Sequence, residues 1–451
     1  MSRHHFEQQL AANLEKLEEQ SLRRFLRPLQ SGQQTSVQRA DRNLLNFSSN
    51  DYLGLASHPQ LREEAMKALG LYGLGAGASR LVCGSLPPHE ELETEIASWK
   101  NCEAALCFSS GYAAAVGTLP ALATAEDVII LDKLVHASLV DGARLSGAHL
   151  RVFPHNDLAR LQSHLIWARK KFPTRRILVV TESIFSMDGD RCPLQEIIAL
   201  KNNFDAVLVL DEAHAVGVLG ETGAGLAEEI IGRAQDHQSL ELRSQELGAG
   251  AKSSPKSAQF LGRAQDHQSL ELRSQELGAG AKSFPKSARF LGSEEVEVQM
   301  GTLSKAIGAS GGYVCGSRSL IDTVINRSRS FIFSTAPPPC VAAAALAGLR
   351  IIRTSEGSYL RDRLWENIYL FSQKLKIAAQ SAILPWLIGP EAEAVEIAQA
   401  LETHGYLAPA IRYPSVAKDK ARIRFTLSAA HTKEEINRLT QHLTGFGSQV
   451  S

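Results

Sequence analysis

The stretch "AVLVLDEAHAVGVLG" (residues 206–220) indicates the fold class, because a continuous apolar run in it leads directly into charged residues and a glycine turn. Such a run is typical of a strand that is covered on both faces of a parallel sheet. Comparable runs lie at 104–108, 127–131, 176–181 and 295–300, and helical stretches separate them. The alternation predicts an α/β domain with right-handed crossovers and a mostly parallel central sheet.

The size and charge of the chain narrow the kinds of protein that it can be. Its 451 residues can form a large core and a second, smaller domain. Lys plus Arg and Asp plus Glu each number 48, and this balance disfavours non-specific binding of nucleic acid or anionic membranes. The start does not resemble a signal peptide, no apolar run reaches about 18 residues, and the six cysteines are scattered. We therefore expect a cytoplasmic protein with free thiols, no metal site, and no nucleic-acid or membrane partner.

The order of the patterns predicts three segments. Residues 1–48 form a helix, expected at 7–29, and a strand, which pack on the smaller domain. Residues 49–335 form the large α/β domain. Residues 336–451 provide a linking helix and a small α+β domain.

A tandem duplication interrupts the large domain. Residues 262–291 repeat 232–261 with only two differences, Ser254/Phe284 and Gln259/Arg289. Two polar, glycine-rich units are fewer than a solenoid needs to bury a core, and they offer little apolar area against their ordering entropy. We predict that 232–291 is a flexible surface loop.

Polar residues follow the predicted strands, where an open parallel sheet binds its ligands. Taken singly, a histidine or aspartate here is more often structural than catalytic, and a glycine turn often only starts a helix. Together they predict one shared site. These residues are Ser110, Gly111, Tyr112, His136, Glu182, Ser186, Asp211, His214, Thr302 and Lys305.

The string "VLDEAH" also resembles the acidic box of ATP-driven helicases. Such proteins need a phosphate loop, G-x-x-x-x-G-K-[ST], earlier in the chain. The nearest string, "GAGAKS" at 248–253, lacks the glycine before the lysine and follows the acidic box. The helicase interpretation is therefore rejected.

Lys305 lies among small residues in "MGTLSKAIGASGGY" (300–313). Desolvation of an unpaired ammonium is costly, so a lysine here needs a partner or a reaction. Pyridoxal 5′-phosphate chemistry requires a lysine for the imine and a carboxylate for the pyridinium nitrogen. Backbone amides at a helix N-terminus, here after Ser110, can hold the phosphate. Lys305 and Asp211 therefore predict a pyridoxal 5′-phosphate site.

Several motifs carry a resemblance to a known family. "NFSSNDYLGLASHP", "DKLVHASLVDGARLSGA", "PHNDL", "TESIFSMDGDRCPL", "LDEAHAVGVLG", "TLSKAIGASGGYV" and "ARIRFTLSAAHT" occur in order. Over nearly the whole chain except 232–291, the sequence resembles the α-oxoamine synthases. The resemblance implies a fold type I PLP-dependent transferase, aspartate aminotransferase-like, with a smaller α+β domain.

The resemblance also implies roles for individual residues. Lys305 would form the imine and act as base at the amino-acid α-carbon, Asp211 would bind the ring nitrogen, and His136 would stack on the ring beside the substrate. His214 and Ser186 would lie near the phenolic oxygen. The remaining implied contacts are Gly111, Tyr112 and Thr302 to the phosphate, Ser334 and Thr335 to it across a dimer interface, Arg424 to the substrate carboxylate, and Arg24, Asn50, Arg412 and Ser415 along the substrate channel.

Within the family, "SSNDYLGL" and "TLSKAIGASGGY" most resemble members that condense L-alanine with a pimeloyl thioester in biotin biosynthesis. The implied reaction is decarboxylative, and it releases CO2 and the thiol carrier, either coenzyme A or acyl carrier protein. A homodimer with a shared active site is implied as well. Two alternatives remain: a sister enzyme that uses glycine, such as 2-amino-3-ketobutyrate ligase or 5-aminolevulinate synthase, and an inactive homologue disrupted by 232–291.

Overall fold

The computed structural model describes residues 3–232 and 295–446. The described residues up to 230 and from 295 onward belong to one compact unit. The duplication lies outside the described residues apart from Gly232, so its assignment as a surface loop stays a prediction. In the described ranges, no helix has the length and apolar character needed to cross a membrane.

Strands and helices alternate through most of the chain. The strands are β1 Ser36–Arg39, β2 Arg42–Asn46, β3 Ala104–Phe108, β4 Val128–Asp132, β5 His149–Phe153, β6 Ile177–Glu182, β7 Val207–Asp211, β8 Val298–Thr302, β9 Gly312–Gly316, β10 Ile383–Gly389, β11 Tyr406–Leu407, β12 Ala410–Ile411 and β13 Ala421–Thr426. The helices are α1 Arg3–Glu19, α2 Pro59–Tyr72, α3 Pro87–Trp99, α4 Gly111–Leu122, α5 Ala137–Leu145, α6 Leu158–Lys171, α7 Leu194–Asn203, α8 Arg318–Arg327, α9 Arg329–Ile332, α10 Pro339–Ile352, α11 Ser355–Leu375, α12 Glu391–Thr403 and α13 Lys433–Phe446. Shorter turns are a 3-10 helix, Leu55–Ser57, and a π-helix, Arg80–Gly84.

The central sheet has seven strands in the order β3-β9-β8-β7-β6-β4-β5. The pairs from β8 to β5 are all parallel, which confirms the predicted mostly parallel sheet. Every residue of β3, β4, β6, β8 and β9 is buried, as expected for strands that helices cover on both faces. The five apolar runs identified in the sequence all lie at these strands or at β7.

Two strands of this sheet were not predicted. β9 runs antiparallel to both β8 and β3 because the chain between Thr302 and Gly312 is too short for a crossover, which needs about a dozen residues. Its glycine-rich sequence also lacks an apolar run. β5 is an edge strand that exposes three of its five residues, so its sequence carries little apolar signal.

The C-terminal region contains a second sheet, β10-β13-β12, with antiparallel pairs. A third sheet joins the two ends of the chain, because β2 pairs with β1 and also, in parallel, with β11. The first helix is Arg3–Glu19 rather than the predicted 7–29. Its residues with described burial are exposed, whereas Val37 and Leu44 of the hairpin pack with Leu407 in a small apolar cluster. The domain boundary at 335/336 stays a prediction.

Candidate active site

The sheet order brings the predicted site residues to one edge. β4, β6, β7 and β8 are parallel neighbours, so the segments that follow them meet at the same end of the sheet. Glu182 is paired with Asp211 in the register of β6 and β7, and Asp211 is paired with Met300 of β8. Lys305 lies three residues beyond the end of β8. The strand ends therefore converge as the sequence predicted.

Lys305 begins a chain of side-chain contacts. Its Nζ lies 2.7 Å from Nε2 of His214, whose Nδ1 lies 2.5 Å from the Tyr52 hydroxyl. Burial lowers the pKa of His214 well below its usual value, and the charges of Lys305 and Arg424 lower it further. His214 is therefore neutral, and a neutral imidazole offers one donor and one acceptor to these two partners.

The same chain continues to Arg424. The Tyr52 O–H donates to Oδ1 of Asn50 at 3.3 Å, and Nη2 of Arg424 donates to the same oxygen at 3.1 Å. Nε of Arg424 donates to the Ser186 carbonyl at 2.6 Å. The predicted carboxylate-binding arginine is thus connected to Lys305 through three side chains. Tyr52 lies in the motif "SSNDYLGL", but no role was predicted for it, because no local pattern marks a tyrosine that will contact a distant histidine.

Two carboxylates act electrostatically on the lysine amine. Burial raises the pKa of Glu182 to about 8, and the nearby Asp211 contributes to the rise. Lys305 is half-buried, and desolvation of its amine lowers the pKa to about 8, although Asp211 and Glu182 oppose this change. A lysine with a pKa near 8 has a substantial neutral, nucleophilic fraction at neutral pH. Glu182 appeared among the polar residues after the strands but was assigned no function.

His136 lies at the N-terminus of α5. Its Nδ1 accepts from the Ser138 N–H at 3.3 Å and lies 2.7 Å from Oγ of Ser138. The backbone N–H of His136 donates to the Glu182 carboxylate. These contacts fix the imidazole, and the residue is exposed, so a ring face is accessible for stacking.

The start of α4 and Thr302 lie side by side. Ser110 caps this 12-residue helix by accepting from the Ala113 N–H at 3.0 Å. A Cβ placed on Gly111 would lie 3.7 Å from Oγ1 of Thr302. A Cβ placed on Gly312 would lie 2.5 Å from the Gly111 nitrogen, so β9 can approach the helix start only with glycine there. The first N–H groups of a helix have no intrahelical acceptors and bind anions.

These groups fit pyridoxal 5′-phosphate. The lowered pKa of Lys305 suits imine formation, Asp211 suits a protonated ring nitrogen, and Gly111, Tyr112 and Thr302 can hold the phosphate through backbone N–H groups and a hydroxyl. The Tyr112 side chain itself is exposed and donates to Asp141 at 2.7 Å.

The other predicted substrate residues form a separate cluster. Nη2 of Arg24 donates to the carbonyls of Arg412 and Tyr413, at 3.5 and 3.1 Å. Arg412 donates to the Ser21 carbonyl, and the exposed Ser415 donates its N–H to the Arg412 carbonyl at 3.0 Å. Within the described chain, no hydrogen bond joins this cluster to Lys305. Its place in the substrate channel stays a prediction.

Ser334 and Thr335 lie between α9 and α10. Ser334 is half-buried and Thr335 is exposed. The next residue, Ala336, donates its N–H to the Ala78 carbonyl at 2.9 Å. The predicted contact of these two residues with the phosphate across a dimer interface involves a second chain and stays a prediction.

The pKa of Lys305 leads to a pH prediction. Only the neutral amine attacks an aldehyde, so reconstitution of cofactor-free protein with pyridoxal 5′-phosphate should accelerate as pH rises and level off above about 8. An ordinary lysine would continue to gain neutral amine up to about pH 10.4. Stopped-flow absorbance from pH 6.5 to 10 measures this dependence. A rate that still rises tenfold between pH 9 and 10 would contradict the lowered pKa.

Comparison with known proteins identifies the family of the chain. The family model "Aminotransferase class I and II" matches residues 42–244 and 275–443. The stretch that it skips, 245–274, is as long as one unit of the duplication. An 8-amino-7-oxononanoate synthase of Geobacter sulfurreducens is 36% identical over 447 residues, covering 98% of each chain. The same enzyme of Anaeromyxobacter dehalogenans is 38% identical and covers 95% of this chain and 92% of its own.

Solved structures show the same fold. A serine palmitoyltransferase from S. paucimobilis has a TM-score of 0.79 at 24% identity, with 99% of both chains covered. An 8-amino-7-oxononanoate synthase from Francisella tularensis has a TM-score of 0.62 at 22% identity and covers 89% of this chain and 98% of its own. The predicted fold type I architecture and its cofactor, pyridoxal 5′-phosphate, are confirmed. The chain belongs to the aminotransferase class I and II family and, within it, to the PLP-dependent α-oxoamine synthases.

Proposed function

We propose that this enzyme condenses L-alanine with a pimeloyl thioester to give 8-amino-7-oxononanoate, CO2 and the free thiol, in biotin biosynthesis. The observation that carries the reaction class is the Lys305 amine, with its lowered pKa, next to Asp211 at the strand ends. The full-length relatives named 8-amino-7-oxononanoate synthase support the choice of substrates.

Each residue of the site has a separate role in the proposed reaction. Pyridoxal 5′-phosphate, when bound, supplies an electron sink for the α-carbon of the amino acid. Lys305 attaches the cofactor and afterwards moves the α-proton, while Asp211 keeps a proton on the ring nitrogen. His136 would stack on the ring, and His214 and Ser186 would contact its phenolic oxygen. The start of α4 and Thr302 hold the phosphate.

Arg424 binds the amino-acid carboxylate in this proposal. Its guanidinium is buried, and a fork of N–H donors matches a carboxylate in two hydrogen bonds. Its contacts to Asn50 and the Ser186 carbonyl fix its plane. Arg24, Arg412 and Ser415 line the route by which the thioester enters.

Alanine and glycine differ by one methyl group, which is worth only about 1–3 kcal/mol in a pocket. The test incubates the reconstituted enzyme with each amino acid and with pimeloyl, acetyl or succinyl thioester, and follows release of the thiol. We expect L-alanine with a pimeloyl thioester to give the highest kcat/KM. Preference for glycine with acetyl- or succinyl-CoA would overturn the proposed substrates. Parallel arms with pimeloyl-CoA and pimeloyl-acyl carrier protein identify the carrier.

An inactive homologue is the remaining outcome. A purified protein that binds pyridoxal 5′-phosphate without absorbance in the visible range, and without a borohydride-trapped adduct at Lys305, would favour it. Trapping followed by peptide mass spectrometry is therefore run beside the turnover assay. The cytoplasmic location inferred from the sequence stays part of this proposal.

We also propose a homodimer with a shared active site. Leu81, Val82 and Phe333 expose 53%, 77% and 70% of their surfaces, and the hydrogen bond from Ala336 to Ala78 brings their segments together. Phe333 directly precedes Ser334 and Thr335 in the chain. A second copy that covers it would place these two hydroxyl groups at an interface, where the resemblance assigns them to the partner's phosphate.

The dimer proposal predicts the effect of a charge in the patch. Val82→Glu should shift the protein from dimer to monomer and lower activity at least tenfold, because a carboxylate would be buried among apolar side chains. Light scattering after size exclusion, with turnover of the same samples, measures both. Ile166→Glu, at a 51% exposed position of α6, is the matched control. A fully active monomer would contradict the shared site.

A further inference from the structure

His155 lies between two aspartates outside the group around Lys305. Its Nδ1 lies 3.1 Å from Oδ1 of Asp132, the last residue of β4, and its Nε2 lies 2.7 Å from Oδ2 of Asp190. Phe185 meets the imidazole edge-on, with ring centroids 4.3 Å apart. The imidazole therefore joins the central sheet to the chain around Asp190.

The charge of His155 makes this connection strong. Burial lowers the pKa of His155, but the hydrogen bonds to Asp132 and Asp190 outweigh it and raise the pKa to about 10. Both ring nitrogens then carry protons, and both can donate to a carboxylate. Asp132 is itself fixed, because it accepts from the N–H groups of Leu134 and Asn156, each at 2.8 Å.

Asp190 belongs to a turn formed by residues 183–191, which we call the 183–191 turn. The turn closes on itself, since the Phe185 N–H donates to the Asp190 carbonyl at 3.0 Å and the Gly189 N–H donates to the Phe185 carbonyl at 2.8 Å. Gly189 has a positive φ of 73°, and a Cβ there would lie 2.1 Å from the Ile383 carbonyl oxygen. The turn thus packs closely on β10.

The opposite side of the 183–191 turn holds two arginines of β13. The Ser186 carbonyl accepts from Nε of Arg424 at 2.6 Å, and Asp188 pairs with Nη1 of Arg422 at 2.6 Å. The turn therefore lies between His155 and the guanidinium that faces Asn50. A shift of the turn would move the carbonyl on which Arg424 depends.

We propose that His155 is a positioning residue for the amino-acid substrate, because its bridge between Asp132 and Asp190 fixes the 183–191 turn that orients Arg424. The inference rests on the proposed role of Arg424 in binding the amino-acid carboxylate. His155 transfers no proton in this role. It affects only the geometry of the carboxylate site.

This role has a kinetic signature that differs from general destabilisation. Lys305, Asp211, Thr302 and α4 would hold the cofactor from outside the 183–191 turn, and Ser186 is the one proposed cofactor contact within it. His155→Gln should therefore raise KM for the amino acid about tenfold, while KM for the thioester and the Kd of pyridoxal 5′-phosphate change less than twofold. A loss of overall folding would instead lower the active fraction and weaken cofactor binding together.

The experiment uses the full-length holoenzyme. We would measure KM for the amino acid and for the thioester, and the amino-acid concentration that half-saturates the change in cofactor absorbance, for wild type, His155→Gln and Asp190→Asn. His164→Gln, on α6, is the matched control. Asp190→Asn removes one carboxylate without changing side-chain size, and it decides the question if His155→Gln does not fold.

Similar increases in amino-acid KM for His155→Gln and Asp190→Asn, with no further increase in the double variant, would support one shared bridge. An unchanged amino-acid KM in a folded, cofactor-loaded variant would overturn the inference. The proposed function fails separately, in wild type, if another amino acid and thioester are preferred. The same comparison is then made with that substrate pair.

Discussion

Replacing Lys305 with alanine is expected to lower kcat/KM by about 10^4-fold or more, because the change removes both the covalent attachment and the proton-transfer group. Lys305 is half-buried, whereas two lysines of the described chain, Lys100 and Lys201, are buried, and each is held elsewhere. Nζ of Lys100 donates to the Ala224 carbonyl at 2.5 Å, and Lys201 pairs with Glu297. Neither can substitute for the amine at the strand ends.

Three measurements check this prediction: thiol release, the visible absorbance of the bound cofactor, and borohydride trapping followed by peptide mapping. The variant should still bind pyridoxal 5′-phosphate through the start of α4, without the covalent adduct. Lys133→Ala, an exposed position just after β4, is the control and should retain wild-type turnover. Trapping at another lysine, or retained activity in the variant, would show that the site has been misplaced.

The second large effect is expected for Asp211→Asn, which should lower kcat by about 10^2 to 10^3-fold, as for removal of one preorganised hydrogen-bonding group in other active sites. Oδ1 of Asp211 accepts from the Ala213 N–H at 2.8 Å, and asparagine can keep that contact. The change therefore removes the charge with little change of shape. A ring nitrogen without its carboxylate loses its proton and becomes a weaker electron sink.

Asp211→Asn should also act on the lysine. Asp211 raises the pKa of Lys305, so its removal should move that pKa below about 8. The pH at which reconstitution levels off should fall accordingly, which separates a charge effect from misfolding. Asp205→Asn, on the exposed chain just before β7, is the control. An unchanged kcat together with an unchanged pH profile would exclude the proposed contact between Asp211 and the ring.

Much of the fold could be predicted because it is encoded locally. Apolar runs such as 104–108 identified strands, since a strand covered on both faces must be apolar along its length. The placement of Asp211 and Lys305 at one edge followed from the rule that parallel strands end on the same side. The bounds of α1 and the presence of the antiparallel strand β9 could not be predicted in this way, since neither has a distinctive local pattern.

Local sequence patterns were enough to identify the residues that could carry the chemistry: a lysine among small residues, an aspartate after a buried strand, and a helix start rich in small residues. Which side chains meet depends on tertiary packing. Tyr52 reaches His214 across 162 positions of chain, and Arg424 reaches the Ser186 carbonyl across 238. Strand identity depends on neighbouring residues, whereas these contacts depend on how distant elements pack, and the local sequence of neither partner contains that information.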